Sequence, residues 1–312
     1  MAENIWFWII FNVFVLAMLA LDLGVFHRHD HAVTMKEASI WTVVWISLAL
    51  LFNLGLYFYA GPEPALQFLT GYLIEKSLSV DNIFVFVMLF SYFQVPVIYQ
   101  HRVLFWGILG ALIMRGILIG VGAFLIAQFH WVIYVFGAFL IFTGIRMGVQ
   151  KDEHVDVESN AMVNLLRRFM PITQNYHGHD FFVRQAGRLF ATPLFVVLLI
   201  VETTDLIFAL DSIPAIFAVT TDPFLVYTSN VFAILGLRSL YFLLAEVVTK
   251  FRFLKIGLSA ILIFVGVKMV IVDIYHIPIA LSLGVIAAIL AISIIASLLL
   301  PEQAETDIES PV

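Results

Sequence analysis

The sequence predicts an all-α, polytopic membrane protein of about nine transmembrane helices, built around two inverted three-helix repeats. Apolar residues make up 62% of the 312 positions and charged residues only 12%, with a mean hydropathy of +1.03. That balance suits a bilayer, not a soluble globule. The apolar residues fall into nine runs long enough to cross a ~30 Å hydrocarbon core. Two of these runs, far apart in the chain, carry matching acids.

The first span covers residues 6–26, with Asp22 near its end; no basic segment precedes it, so it reads as a retained span and not a cleaved signal. After a loop holding His27, His29 and His31, residues 40–59 form a second span containing Asn53. Gly61, Pro62 and Pro64 break the chain, and the third span, 67–93, carries Glu75, Lys76, Asp81 and Asn82. The fourth, 103–127, holds Arg115 at mid-depth and sets Gly116 and Gly120 at a spacing suited to close helix packing. Residues 131–149 make the fifth. The polar stretch 151–188 reads as a cytosolic loop whose segment NAMVNLLRRF can lie as an amphipathic helix on the membrane surface. Spans six to nine cover 189–219, 224–248, 253–272 and 279–300, and the acidic tail reads as disordered.

Lysine and arginine set the orientation. With the N-terminus outside, the cytosolic loops hold Arg28 and Lys36, then Arg102, then Lys151, Arg167, Arg168, Arg184 and Arg188, then Lys250, Arg252 and Lys255. The opposite loops hold none. This asymmetry predicts nine spans, an external N-terminus and a cytosolic C-terminus.

An internal repeat emerges on alignment. Glu75, Asp81, Asn82 and Ile83 match Asp205, Asp211, Ser212 and Ile213; Ile108-Leu109-Gly110 followed by Arg115 matches Ile234-Leu235-Gly236 followed by Arg238; LIFTGIRM from Leu140 matches LIFVGVKM from Leu262. The chain divides accordingly into two N-terminal spans (1–60), repeat 1 (61–150), a cytosolic loop (151–188), repeat 2 (189–273), and a final span with its tail (274–312). Three spans per unit is an odd number, so the second unit is expected upside down relative to the first. In such folds the site lies where the repeats meet, near the midplane.

Five acids, Glu75, Asp81, Glu202, Asp205 and Asp211, stand in these apolar runs. Facing lipid, they would together cost about 15 kcal/mol, so they are expected to face an interior. Pro214 cannot donate to the carbonyl of Leu210, and an interruption of the sixth span near Asp211 is therefore expected. With no cysteine in the chain, any metal site must use oxygen or imidazole, and carboxylates suit a hard divalent cation. Asn82, Thr204 and Ser212 offer further oxygens, and Lys76, Arg115 and Arg238 are candidate charge partners. Two other readings of the acids stand beside this one: structural neutralisation by those three bases, and a proton path without metal.

Other motifs point away from enzymes. The His27, His29 and His31 cluster and the pair His177 and His179 read as solvated loop residues. The predicted spans contain no histidine, there is no HExxH motif, and no glycine loop suited to phosphates occurs, so ATP is not the driver. Two intramembrane aspartates on different spans leave an intramembrane aspartyl protease as a remote alternative. No basic block suggests nucleic acid.

The segments FLTGYLIEKSLSVDNIFVF and ETTDLIFALDSIPAIFAVTTDPF, with TSNVFAILGLRSLYFLLA and KMVIVDIYHIPIALSLGV, resemble the signature segments of the TerC family of bacterial membrane proteins. The resemblance covers nearly the whole chain. It implies a Mn²⁺ exporter of the bacterial inner membrane, in a family associated with tellurite resistance and related to LysE-type transporters. The family's acidic positions fall on Glu75, Asp81, Glu202, Asp205 and Asp211. No prosthetic group is implied; Mn²⁺, other divalent cations and H⁺ are the expected transported partners. The non-transport alternative is a membrane factor that supplies metal to secreted proteins.

Overall fold

Apolar runs in a bilayer satisfy their backbone polar groups within helices or closed barrels, and this chain forms helices. The computed structural model describes residues 4–26, 34–149, 161–185, 187–245, 253–275 and 277–299. In chain order the helices are α1 (Ile5–Phe26), α2 (Met35–Ala60), α3 (Pro62–Tyr92), α4 (Val97–Gln128), α5 (Val132–Val149), α6 (Ala161–Phe169), α7 (Pro193–Phe217), α8 (Pro223–Leu235), α9 (Leu237–Leu244), α10 (Leu254–Val270) and α11 (Ile279–Leu299). Strands β1 (Phe182–Gln185) and β2 (Arg188–Ala191) pair antiparallel between α6 and α7.

Among the described residues, six helical segments are long and apolar enough to cross a membrane: α2, α4, α5, α7, Pro223–Leu244 and α11. The apolar part of α1, Ile5–Leu21, is shorter. α3 is 31 residues long but carries Glu63, Glu75, Lys76 and Asp81, and α10 has 17 residues. The expected all-α architecture with several membrane-spanning helices is present. His27, His29, His31, the acidic tail and the side chain of Asp22 lie outside the described residues.

Several expectations are corrected. Pro214 sits inside an unbroken α7; the buried residues after it, Ala215, Ile216 and Phe217, pack on the core and carry the helix onward. The interruption falls instead at Gly236, between α8 and α9. Residues 189–191 are strand and Thr192 is the N-cap of α7, because Pro193 at the first turn marks where helix can begin. α4 starts six residues earlier than expected and takes His101 into the helix. The loop carries the expected helix as α6, whose Val163 is buried in one core with Leu194 and Val197 of α7. It also carries a hairpin that the sequence reading missed.

Helix directions follow from paired contacts. Thr220, just after α7, donates to Gln67 near the start of α3 (2.7 Å), while Phe86 and Phe90 share a core with Leu194 and Val197. α3 and α7 therefore run antiparallel. α5 and α10 do the same, with a tighter approach. A Cβ on Gly266 would lie 2.7 Å from the carbonyl oxygen of Gly137, and one on Gly144 would lie 2.9 Å from that of Ser259, whose hydroxyl donates to the Gly144 carbonyl (2.6 Å). Close packing thus occurs here, not at Gly116 and Gly120: Gly116 meets Tyr227 at an ordinary 3.6 Å and Gly120 faces open space. Gly266→Val should accordingly lower stability by about 1–3 kcal/mol through overpacking, read as a lower unfolding midpoint in detergent. An unchanged midpoint would show that the two helices part freely.

Beyond the helices, Asp273 ties α5 to the turn after α10. It accepts from Tyr134 and lies 2.9 Å from His130 Nε2, and these hydrogen bonds hold its carboxyl below the usual carboxylate range.

Candidate cation site

The polar residues of α3 and α7 survive in apolar surroundings because most are satisfied locally. Thr70, Ser77 and Ser79 donate to the carbonyls of Leu66, Leu73 and Glu75, and Thr203 and Thr204 to those of Leu199 and Ile200. These bonds stay within one helix. The acids are different, since their partners come from other helices.

Arg115, from α4, is the centre. Its Nε and Nη2 donate to the two carboxylate oxygens of Asp205 on α7, at 3.0 and 2.8 Å. Its Nη1 donates to Oε1 of Glu75 on α3 and lies 3.4 Å from both Ser212 Oγ and Asn230 Oδ1. Asn230, on α8, donates in turn to Oε2 of Glu75 at 3.0 Å. Glu75 and Arg115 are each 1% exposed and Asp205 is 3% exposed, so two carboxylates share one guanidinium out of contact with solvent. Bidentate pairing of this kind is the strong form of the interaction. One negative charge remains in excess when both acids are ionised.

Helix geometry decides which candidates join. A separation of seven residues returns a side chain to nearly the same face, whereas six turns it by about 120°. Ser212 stands seven after Asp205 and reaches Arg115. Asp211 stands six after it, on a continuous helix, half-buried on another face. Asn82 holds the place on α3 that Ser212 holds on α7, seven after Glu75. It is 2% exposed, and its Oδ1 has no hydrogen-bond partner. The side chain of Asp81 lies outside the described residues.

Glu202 lies one turn before Asp205, with its carboxyl against Gly110 of α4: a Cβ there would come within 2.0 Å of Oε1. Glycine is required for that approach. The aligned position, Gly236, plays the corresponding part for a base. A Cβ on Gly236 would lie 2.7 Å from Lys76 Nζ, which donates to the carbonyl of Ala233 at 3.3 Å, near the end of α8. Lys76 thus serves a helix end. Arg238 is buried on α9. Among the described residues, no three or more acids or histidines are grouped closely enough to hold a metal ion. Among the described residues, Glu75 and Asp205 meet at one guanidinium, with Glu202 one turn away on α7.

Asn230 was missed by sequence reasoning, although an amide within the apolar run PFLVYTSNVFAIL is the same kind of signal as the acids.

Comparison with known proteins agrees with the motifs. The family model described as "Integral membrane protein TerC family" matches residues 60–305. An uncharacterized membrane protein of Myxococcus xanthus is 58% identical over 305 residues, covering 97% of this chain and 96% of its own. In Escherichia coli (strain K12), a protein provisionally described as a membrane-bound redox modulator, Alx, is 54% identical over 295 residues, covering 91% and 92%. An uncharacterized membrane protein of Rickettsia bellii is 40% identical over 292 residues, covering 94% and 97%. No solved structure matches the chain. With the family model matching residues 60–305 and relatives 40–58% identical over nearly their whole length, the chain belongs to the TerC family of integral membrane proteins.

Proposed function

We propose that the protein is a secondary transporter that exports Mn²⁺ from the cytoplasm across the bacterial inner membrane, in exchange for protons. The carrying observation is that Glu75 of α3 and Asp205 of α7, equivalent positions in the two repeats, reach one buried cationic group. The antiparallel course of α3 against α7, and of α5 against α10, supports inverted repeats. Nine spans with an external N-terminus follow from the basic-residue asymmetry.

The donor set fits a hard cation. Glu75, Asp205 and Glu202 supply carboxylates, Ser212 and Asn230 stand within the cluster, and Asn82 adds a buried carbonyl oxygen without a donor. These oxygens suit manganese, magnesium and calcium alike; manganese is favoured by the family resemblance. Asp81 and Asp211 serve as further carboxylates of the cation path as the repeats rock. Rocking of this kind moves a midplane site from one face to the other. Proton return follows from like charges in a low-dielectric site, where an emptied carboxylate takes up H⁺. The redox role in the name of the Escherichia coli relative has no thiol in this chain to rest on, since the sequence contains no cysteine.

The test is flux into and out of proteoliposomes holding a manganese-sensitive dye, with Mg²⁺ and Ca²⁺ as competitors and a second dye for internal pH. Wild-type protein should move Mn²⁺ and alter internal pH. Neutral substitution at Glu75, Asp81, Glu202, Asp205 or Asp211 should reduce movement to the background of empty vesicles. Wild-type movement no faster than empty vesicles would exclude transport and favour the metal-supply factor. Undiminished flux in all five variants would overturn the site.

A further inference from the structure

We propose that Arg115 is a tethered substitute for the transported cation: its guanidinium occupies the Glu75–Asp205 site when the carrier is empty, and a divalent cation displaces it on loading. The inference rests on the transport reading above and adds the step by which the unloaded protein returns.

The cluster looks like a cation site that already holds a cation. Arg115 meets Asp205 with two nitrogens and Glu75 with a third, and its remaining neighbours, Ser212 Oγ and Asn230 Oδ1, are neutral oxygens. Carboxylates plus neutral oxygens are what a hard divalent ion takes. Both acids come from first helices of the repeats, whereas Arg115 comes from α4 on a long, jointed side chain. A second observation points to a ligand: Asn82 Oδ1, buried seven residues beyond Glu75 on the same helix, has no hydrogen-bond partner and is an acceptor to which the guanidinium does not donate.

Charge gives the arrangement a consequence. Two buried carboxylates facing each other without a cation are expensive, so an emptied site cannot easily cross the low-dielectric midplane. A guanidinium that folds into the site neutralises it in part and lets the repeats rock without cargo. When a divalent ion arrives, the same carboxylates bind it more strongly and Arg115 swings aside. Net export needs the empty return; exchange of Mn²⁺ for Mn²⁺ does not, because the site is then loaded in both directions.

Purified Arg115→Gln and Arg115→Lys proteins in liposomes test this, with wild type establishing transport independently. For Arg115→Gln, net Mn²⁺ efflux per folded protein should fall at least tenfold more than exchange of labelled for unlabelled Mn²⁺ does. Direct Mn²⁺ titration of the same protein should show roughly tenfold tighter binding, since the internal competitor is gone. Arg115→Lys, which keeps a cation on a similar stem, should restore much of the net efflux. Mn²⁺ should raise the unfolding midpoint of Arg115→Gln more than that of wild type, which also shows that the variant is folded. Equal loss of net efflux and exchange, or weaker Mn²⁺ binding in Arg115→Gln, would mean that Arg115 is a fixed structural strut and would overturn the proposal. A wild type that moves no Mn²⁺ would remove the transport reading instead.

Discussion

In metal-free buffer, Arg115→Gln should lose about 3–5 kcal/mol of stability, and the triple variant Glu75→Gln/Arg115→Gln/Asp205→Asn should regain most of that loss while transporting nothing. Removing one partner of a buried ion pair leaves charge without compensation, and this is where the cost arises. Here the single substitution leaves two acids, 1% and 3% exposed, with no guanidinium between them. Neutralising all three removes the buried charge altogether. A side-chain amide at position 75 keeps an oxygen that can accept from Asn230, as Glu75 Oε2 does. Replacing a whole buried charge cluster by neutral groups is often close to neutral for stability. The pair of results separates what the cluster does for folding from what it does for transport. Unfolding midpoints in detergent, read beside proteoliposome flux, give both numbers. A triple variant as unstable as the single one would mean that the neighbouring helices depend on the charges themselves for their packing.

Gly110→Ala should leave stability within about 1 kcal/mol of wild type yet reduce Mn²⁺ flux about tenfold. The added methyl would stand 2.0 Å from Oε1 and 2.5 Å from Oε2 of Glu202. Those atoms form the far end of a flexible side chain, so the carboxyl swings away and the backbone stays put. Alanine also gains up to about 1 kcal/mol over glycine in a helix interior, which offsets part of the strain. The variant therefore moves a carboxyl without changing its chemistry, which Glu202→Gln cannot do. A tenfold change corresponds to about 1.4 kcal/mol, a modest demand on one displaced ligand. Wild-type flux in Gly110→Ala, together with inactive Glu202→Gln, would show that the charge of Glu202 matters but its position against α4 does not.

How far the sequence reaches is clear from particular residues. Glu75 and Asp205 declare themselves, because a carboxylate in an apolar run has to find a partner. Arg115 was a candidate partner by the same logic. Its actual role as the shared partner of both acids was not legible, since it joins residues 40 and 90 positions away in the chain. Ser212 and Asn230 join the same guanidinium from 97 and 115 positions away. Pro214 misled, because loss of one backbone hydrogen bond interrupts a helix only where packing permits, and here buried Ile213, Ala215, Ile216 and Phe217 hold it. Gly236 gave no comparable warning, being one glycine in a run of apolar residues.

The sequence by itself determined that this chain is a helical membrane protein of the TerC family, and which acids stand in its apolar runs. Composition and local spacing suffice for that, because the cost of placing charge in hydrocarbon does not depend on the fold. The tertiary structure alone decided which acids share a partner. That outcome depends on how α3, α4, α7 and α8 are rotated against one another, and a rotation of about 120° separates Asp205 and Ser212, which reach Arg115, from Asp211 on another face of the same helix.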